Sequence, residues 1–235
     1  MTKTDFQRRE FANGEELAQG LADWTAEHLR EGVAARGVGL LVVSGGKSPA
    51  RFFDLLSNLD LDWARVAITL ADERRVADDS PRSNARLVRE RLLCNRAKAA
   101  SFTPLADVRL PEDQELAAAS ARIAHLPMPA DVVILGMGDD GHTASWFPGA
   151  EGLAEAMDPA ARQLVAPMVA ADAPEPRLTL TGRVILCARA IALEIQGEGK
   201  LATFAKALEP GPEQVMPIRA VLRGATDRVT VFMSS

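Results

Sequence analysis

Residues 132–143 place the side chains best suited to chemistry directly after an apolar run. The run at 132–135 leads into three glycines, two aspartates and a histidine, ending at Thr143. Buried strands of parallel sheets read as continuous apolar runs, and such sheets carry their sites at the carboxyl ends of the strands. His142 has an ordinary pKa suited to proton transfer near neutrality. With Asp140 two residues before it, His142 is predicted to activate water or to take a proton from a substrate.

A second polar cluster follows the apolar run at 38–43. Gly45 and Gly46 allow a tight turn, Lys47 and Ser48 add charge and donors, and Pro49 suits the first turn of a helix. Backbone N–H groups in such a turn, next to a helix N-terminus, form a site for an anion such as phosphate. The spacing is not that of a Walker loop, and an ordinary glycine turn before a capped helix remains the alternative.

A third cluster, Asp72-Glu73-Arg74, follows the apolar run at 66–70. If Arg74 points inward, its planar guanidinium can hold an anionic group through paired hydrogen bonds. The alternative is a solvated turn in which all three side chains face water. Because strand ends converge in a parallel sheet, all three clusters are predicted to lie at one edge.

Gly136, Gly138 and Gly141 also form a literal G-x-G-x-x-G after a strand. A dinucleotide site is nevertheless disfavoured, because Asp139 and Asp140 would face the pyrophosphate with like charge. The following helix is cut short by a Pro-Gly pair at 148–149, and no strand with a terminal acid follows about 20 residues on.

Nucleophilic and zinc chemistry find little support. There is no G-x-S-x-G motif, and the remaining histidines, His28 and His125, fall on predicted helices as surface residues. Cys94 and Cys187 lack metal-ligand spacing and lie among apolar neighbours, so both are predicted to be reduced core thiols. His142 is therefore the candidate for proton transfer.

Composition excludes some partners. The 235 residues suffice for a sizeable core, and the net charge of −5 provides no global attraction for nucleic acid. Aromatic residues make up 5% with no Tyr, which disfavours a base-stacking surface. No run of about 18 apolar residues suggests a membrane span, and the polar residues 1–10 lack the apolar core of a signal peptide. We expect a cytoplasmic protein without nucleic-acid or membrane partners.

Apolar periodicity alternates between strand and helix along the chain. Asn13 is a predicted helix cap, and helices are predicted at 15–35, 50–56, 83–93, 112–125 and a segment ending at 208. Strands are predicted at 38–43, 66–70, 101–104, 131–135, 163–167, 191–195 and 229–233, with 177–187 left open between strand and helix. This order is typical of an α/β protein with a mostly parallel sheet and helices on both faces.

Together these motifs resemble the 6-phosphogluconolactonase family, in the superfamily that it shares with glucosamine-6-phosphate deaminases. The long block at 136–149 is the specific match, and the shorter ones occur in the family's order across nearly the whole chain. The matching segments are 44–49, 72–76, 83–84, 136–149, 177–181 and 197–200. The resemblance implies one Rossmann-like three-layer α/β/α domain over residues 1–235, with a mostly parallel sheet.

The resemblance also implies an activity, the hydrolysis of 6-phospho-D-glucono-1,5-lactone to 6-phospho-D-gluconate in the pentose phosphate pathway. His142 would be the general base and Asp140 its orienting partner. Substrate and phosphate binding would fall to a wider set, namely Gly45, Gly46, Lys47, Ser48, Asp72, Arg74, Arg177 and Lys200. Apart from the small sugar phosphate lactone, we expect no cofactor and no metal, and a monomer or small homo-oligomer.

Two departures and three alternatives accompany the resemblance. The family commonly has Ser or Thr at the position of Lys47 and an aromatic residue at that of Arg75. A deaminase is one alternative, but its Asn-Glu-Pro segment is replaced here by Trp146-Phe147-Pro148. A non-catalytic sugar-phosphate-binding regulator is another. Finally, a magnesium or calcium site is possible if four carboxylates converge, those of Asp72, Glu73, Asp139 and Asp140.

Overall fold

A computed structural model of the chain describes residues 6–46, 48–169 and 175–235. Ten strands are present in these ranges: β1 (Gln7–Phe11), β2 (Gly39–Val43), β3 (Val66–Leu70), β4 (Asp72–Arg74), β5 (Ser101–Thr103), β6 (Val132–Gly136), β7 (Val165–Met168), β8 (Arg177–Leu180), β9 (Ala190–Gln196) and β10 (Val229–Ser234). Eight α-helices accompany them: α1 (Gly14–Arg36), α2 (Pro49–Leu56), α3 (Asn84–Arg91), α4 (Glu112–Ala124), α5 (Leu153–Met157), α6 (Gly182–Ile185), α7 (Glu198–Leu208) and α8 (Ile218–Gly224).

Seven of these strands form one sheet in the order β1-β10-β9-β6-β2-β3-β5, and every neighbouring pair in it is parallel. β2, β3 and β10 are buried throughout, as expected for strands covered on both faces. Helices cover both faces of the sheet, which confirms the predicted three-layer α/β/α arrangement. A smaller antiparallel sheet, β4-β8-β7, was not predicted.

The order of the strands defines where the chain reverses. From β2 the chain moves outward through β3 to β5, then returns to β6 on the other side of β2 and moves outward again through β9 and β10. β2 and β6 are therefore neighbours whose following segments diverge to opposite sides. In open α/β sheets the crevice at the carboxyl ends of such a pair is where ligands bind.

Local signals explain both ends of α1 and the start of α2. The Asn13 side chain accepts a hydrogen bond from the Glu16 N–H, and Gly37 ends α1 at a φ of 78°, in the left-handed region. α2 begins at Pro49, one residue before the predicted range, with the proline in the first turn as expected. None of the helices among the described residues is long and apolar enough to cross a bilayer.

The predicted burial of the cysteines is wrong. Both are free thiols, but Cys94 is half-buried and Cys187 is exposed. Cys187 follows the short helix α6, and its neighbours Leu186 and Ala188 take the inward positions at 5% and 0% exposure. Apolar neighbours in sequence therefore did not reveal which way this side chain points.

Candidate active site

A polar cleft lies at the carboxyl ends of β2 and β6, where the chain reverses. Its volume is about 340 Å³. It is lined by Ser44, Gly45, Gly46, Ser48, Pro49, Asp72, Arg74, Asn84, Ile134, Leu135, Gly136, Met137, Gly138, Asp139, His142, Ala144, Arg177, Glu194 and Lys200. This set includes every predicted site residue except Asp140, which contacts His142, and Lys47, which lies outside the described residues.

The loop after β6 fixes the imidazole of His142. The Asp140 Oδ1 atom accepts a hydrogen bond from the His142 backbone N–H at 3.0 Å and lies 2.6 Å from Nδ1. Since a carboxylate can only accept, Nδ1 carries the proton in this pair, and Nε2 is left as the basic nitrogen. His142 is one-third exposed, so water and substrate can reach it. This arrangement fits general-base chemistry.

Two glycines make this loop possible. A Cβ atom at Gly138 would lie 2.2 Å from the His142 ring, so only glycine lets the imidazole pack against the backbone there. Gly141 has a φ of 81°, and its carbonyl accepts a hydrogen bond from the Ile218 N–H at the start of α8. The Gly-x-Gly-x-x-Gly pattern therefore positions a histidine and opens no helix, which agrees with the rejection of a dinucleotide site.

Phe147 joins the histidine loop to the cationic side of the cleft. Its ring centroid is 4.7 Å from that of His142, and the Arg177 guanidinium carbon lies 5.2 Å from the same ring. A guanidinium over an aromatic face is attracted to it, which steadies Arg177 beside the histidine. The role of Phe147 was not predicted, although the residue belongs to the matched segment at 136–149.

Asp72 is buried, and its carboxylate interacts with other side chains of the protein. Its Oδ2 atom accepts a hydrogen bond of 2.6 Å from the Ser145 hydroxyl and lies 3.7 Å from Nη1 of Arg177. Asp72 is only 5% exposed, so the solvated-turn alternative for this cluster is wrong. The carboxylate connects the histidine loop and Arg177 of β8 to the start of β4. Ser145, three residues after His142, was missed because its partner is distant in sequence.

Glu73 holds the beginning of α3. Its carboxylate accepts backbone hydrogen bonds from Asn84 at 2.9 Å, Ala85 at 2.7 Å and Arg74 at 2.8 Å. Burial outweighs these donors and raises the pKa of Glu73 above its ordinary value. Glu73 is thus a structural group that fixes the segment carrying Asn84.

Asn84 explains one glycine of the phosphate-type loop. Its side-chain amide donates to the Asp72 carbonyl at 2.9 Å, and its Oδ1 atom would lie 1.8 Å from a Cβ atom at position 45. Gly45 therefore lets the loop after β2 pack directly against Asn84. Gly46 has a φ of 102°, which also favours glycine.

Buried donors without partners gather in this cleft. The Nε atoms of Arg74 and Arg177 and the hydroxyl of Ser44 are buried, and no acceptor for them exists among the described residues. Such atoms are uncommon in native proteins and often mark a site where a ligand supplies the partner. Burial also lowers the pKa of Arg177 below its ordinary value, which shows how strongly its charge is desolvated. With Lys200 in the first turn of α7, these groups favour an anion.

Arg75, the other departure from the family pattern, takes no part in the cleft. Its guanidinium bonds Glu115 at 2.5 Å, Glu112 at 3.1 Å and the Leu110 carbonyl at 3.0 Å. The residue therefore anchors α4 instead of filling the site of an aromatic side chain.

The carboxylates that the sequence allowed to converge do not form a metal site. Asp72 is engaged with Ser145, Glu73 with the start of α3 and Asp140 with His142. In the ranges that the structure covers, no three His, Cys, Asp or Glu side chains gather as a set of ligands.

The fold is that of an α/β protein of the parallel, doubly wound class. Its cleft, at the carboxyl ends of β2 and β6, favours an anion and contains a histidine–carboxylate pair. Residues 12–231 match the family model described as glucosamine-6-phosphate isomerases/6-phosphogluconolactonase. The chain belongs to this family.

Similar proteins cover nearly all of the chain. It is 49% identical to a 6-phosphogluconolactonase from Mesorhizobium japonicum over 94% of this chain and 92% of that protein. It is 46% identical to a 6-phosphogluconolactonase from Rhizobium meliloti over 94% and 96% of the two chains. A crystal structure of a 6-phosphogluconolactonase from Shewanella baltica superposes with a TM-score of 0.94 at 43% identity, covering 98% of each chain.

Proposed function

We propose that this chain hydrolyses 6-phospho-D-glucono-1,5-lactone to 6-phospho-D-gluconate, the second step of the pentose phosphate pathway. Relatives at 49% and 46% identity over 94% of the chain carry the name of this activity. The observation that carries the proposal is the pairing of His142 with Asp140 in a cleft whose buried arginine donors lack partners. A phosphorylated ester substrate uses both features.

His142 is the general base of the proposed reaction. Its Nε2 atom takes a proton from water as the water oxygen attacks the lactone carbonyl carbon. The ring C–O bond then breaks, and the His142 imidazolium returns the proton to the departing oxygen, which becomes the free hydroxyl. The carboxylic acid that forms releases its remaining proton to solvent, giving 6-phospho-D-gluconate and the starting form of His142. Asp140 keeps Nδ1 protonated and stabilises the imidazolium that forms after proton transfer.

The phosphate group is held by the loop after β2 and by the cations. Gly45 and Gly46 present backbone N–H groups, Ser44 and Ser48 hydroxyls, and the adjacent N-terminus of α2 favours negative charge. Arg74, Arg177 and Lys200 supply positive charge at the same cleft. Because the chain as a whole is acidic, this local cluster is what attracts a dianion. Lys47 is retained as an additional anchor on the sequence alone.

Asp72 is proposed to support binding through Arg177 and Ser145, although it also lines the cleft. The Asp72 carboxylate and the phosphate are both negatively charged and would repel each other in direct contact. If Asp72 contacts the substrate, we therefore expect it to accept a hydrogen bond from a sugar hydroxyl.

One assay tests this function directly. Purified protein is mixed with freshly prepared 6-phosphogluconolactone in a stopped-flow instrument, and hydrolysis is compared with the spontaneous rate. Glucosamine 6-phosphate is the parallel substrate for the deaminase alternative, and tight binding of 6-phosphogluconate without turnover would indicate a regulator. Turnover of the lactone alone is the expected result. Hydrolysis no faster than the spontaneous reaction would contradict the proposal.

A further inference from the structure

Glu194 is a buried acid in the cleft that the proposed chemistry does not use. It lies near the carboxyl end of β9, in register with Gly136 of β6 and Phe232 of β10. The residue is 6% exposed and lines the cleft. A Cβ atom at Gly136, its partner in register, would meet nothing within 4 Å, so the cleft is open at this point of the sheet.

The hydrogen bonding of Glu194 sets it apart from the other buried acids. Glu73 accepts three backbone hydrogen bonds, Asp72 accepts one from Ser145, and Glu115 pairs with Arg75. Asp131 is likewise paired, with Arg36 and with a backbone N–H. For Glu194, no described residue donates a hydrogen bond to its carboxyl group. The residue is 6% exposed and lines the cleft, so a molecule bound there is the partner available to its carboxyl group.

The protonation state of Glu194 follows from its surroundings. Burial raises its pKa to about 7, and the positive charge of Lys200 opposes this effect without cancelling it. Its neighbours in register, Gly136 and Phe232, carry no charge. The charged and titratable groups that line the cleft with it are Lys200 from α7, Asp139 and His142 from the loop after β6, Asp72 and Arg74 from β4, and Arg177 from β8.

We propose that Glu194 is a further substrate-binding residue, whose neutral carboxyl group donates a hydrogen bond to an oxygen of the bound sugar phosphate. The inference rests on the proposed function for the identity of the ligand. An ionised carboxylate at this place would repel the phosphate and neutralise Lys200. Binding of the dianion is therefore accompanied by uptake of a proton from solvent onto Glu194.

The test is calorimetric titration with 6-phosphogluconate at pH values from 6 to 8.5, in paired buffers of different ionisation enthalpy. At pH 7.5 the wild type is expected to take up about half a proton or more, and its affinity should fall about tenfold more between pH 6 and 8 than that of Glu194→Gln. The glutamine keeps the shape and a donor but does not titrate. The ligand's own ionisation is common to both proteins and cancels in the comparison.

Glu198→Gln is the matched control. Glu198 is an exposed acid at the start of α7, and its substitution removes the same charge near Lys200 without touching the cleft lining. We expect it to retain the pH dependence of the wild type. Absence of proton uptake by the wild type at pH 7.5 would overturn the inference without any variant. If the affinities of the wild type and of folded Glu194→Gln depend equally on pH, the role of Glu194 is overturned and the proposed function is not affected. If the wild type does not bind 6-phosphogluconate, the proposed ligand is overturned as well.

Discussion

Residues in and around the cleft divide into those that line it and those that hold other residues in place. His142 and Arg74 line the cleft, whereas Asp140, Glu73 and Ser145 act on neighbouring protein groups. Experiment can distinguish the two kinds. Substitution of a cleft-lining residue is expected to reduce substrate binding or proton transfer, whereas substitution of a supporting residue is expected to reduce the stability of the fold around the cleft. Substitutions at the residue scale therefore test the chemistry most directly.

His142→Ala is expected to lower the rate of lactone hydrolysis by about 10²–10⁴-fold, since that is what a general base typically contributes. The protein should still fold, because the side chain is one-third exposed. Stopped-flow hydrolysis, corrected for the spontaneous reaction, measures the effect. His125→Ala is the control, as that histidine is exposed at the end of α4. A folded His142→Ala protein with unchanged turnover would end the assignment.

Arg74→Ala is expected to reduce kcat/KM for the phosphorylated lactone by about 10- to 100-fold, the worth of a hydrogen bond to a charged group. Unphosphorylated gluconolactone should be affected far less, because it offers no phosphate to the buried Nε atom. Arg109→Ala, at an exposed arginine paired with Asp107, is the control. Equal losses on both substrates would place Arg74 elsewhere in the mechanism.

At the scale of elements, the site depends on short segments that brace the strand ends. α8 supplies the Ile218 N–H to the histidine loop, and Thr203 of α7 donates its hydroxyl to the Asp139 carbonyl at 3.3 Å. β4 is three residues long and exists only through its pairing with β8, more than 100 residues away. Such segments are specified by tertiary contacts, not by their own sequence.

Glu73→Ala tests the brace between β4 and α3. It leaves three backbone N–H groups without their acceptor in a buried place, so we expect a loss of about 3 kcal/mol in the free energy of unfolding. Urea denaturation measures this loss. Glu90→Ala, which removes only an exposed pair with Arg86 on the same helix, should change stability by less than about 1 kcal/mol. Similar losses in the two variants would mean that the Glu73 contacts do not stabilise the protein.

Sequence patterns predicted the long elements well. They also indicated the short strands β5 and β7, but they missed β4 and the short helices α5 and α8. The buried strands β2, β3, β6 and β9 lie where continuous apolar runs predicted them. The first strand, β1, was missed because its residues are polar and mostly exposed, with order supplied by pairing to β10. The segment at 177–187 was ambiguous for a physical reason, since it contains both a strand and a short helix.

The same division applies to the cleft. Motifs that follow long strands revealed His142, Arg74 and the glycine loop, because parallel strands end at one edge. Glu194 and Ser145 gave no such signal, since one sits inside a strand and the other is defined by a partner on a distant strand.

For the whole molecule, strand order decides where the charges meet. Segments after β2, β3, β6 and β9 come from all parts of the chain, yet they converge because β6 returns beside β2. This gathers Arg74, Arg177 and Lys200 at one cleft of an acidic protein. These are the positive charges that we propose to hold the phosphate of the lactone substrate.

Removal of metal ions is consequently expected to leave the activity unchanged. The lactone carbonyl is already electrophilic, and three of the four carboxylates that might have formed a site are engaged by protein groups. Exhaustive chelation followed by metal analysis and the hydrolysis assay tests this. Loss of activity that a divalent ion restores would show that the reaction depends on metal.

The stability of the ligand-free protein should also depend on Glu194. Its pKa is about 7 in the folded chain against an ordinary 4.5, so the native state binds this proton more tightly than the unfolded state. The contribution is fully present below pH 4.5 and is lost as the pH rises to 7. From pH 5 to 8 the wild type should lose on the order of 2 kcal/mol relative to Glu194→Gln. Urea unfolding at both pH values measures the difference, and the exposed Glu198→Gln variant should follow the wild type. Parallel losses in the wild type and Glu194→Gln would mean that burial does not raise the pKa of this carboxyl group.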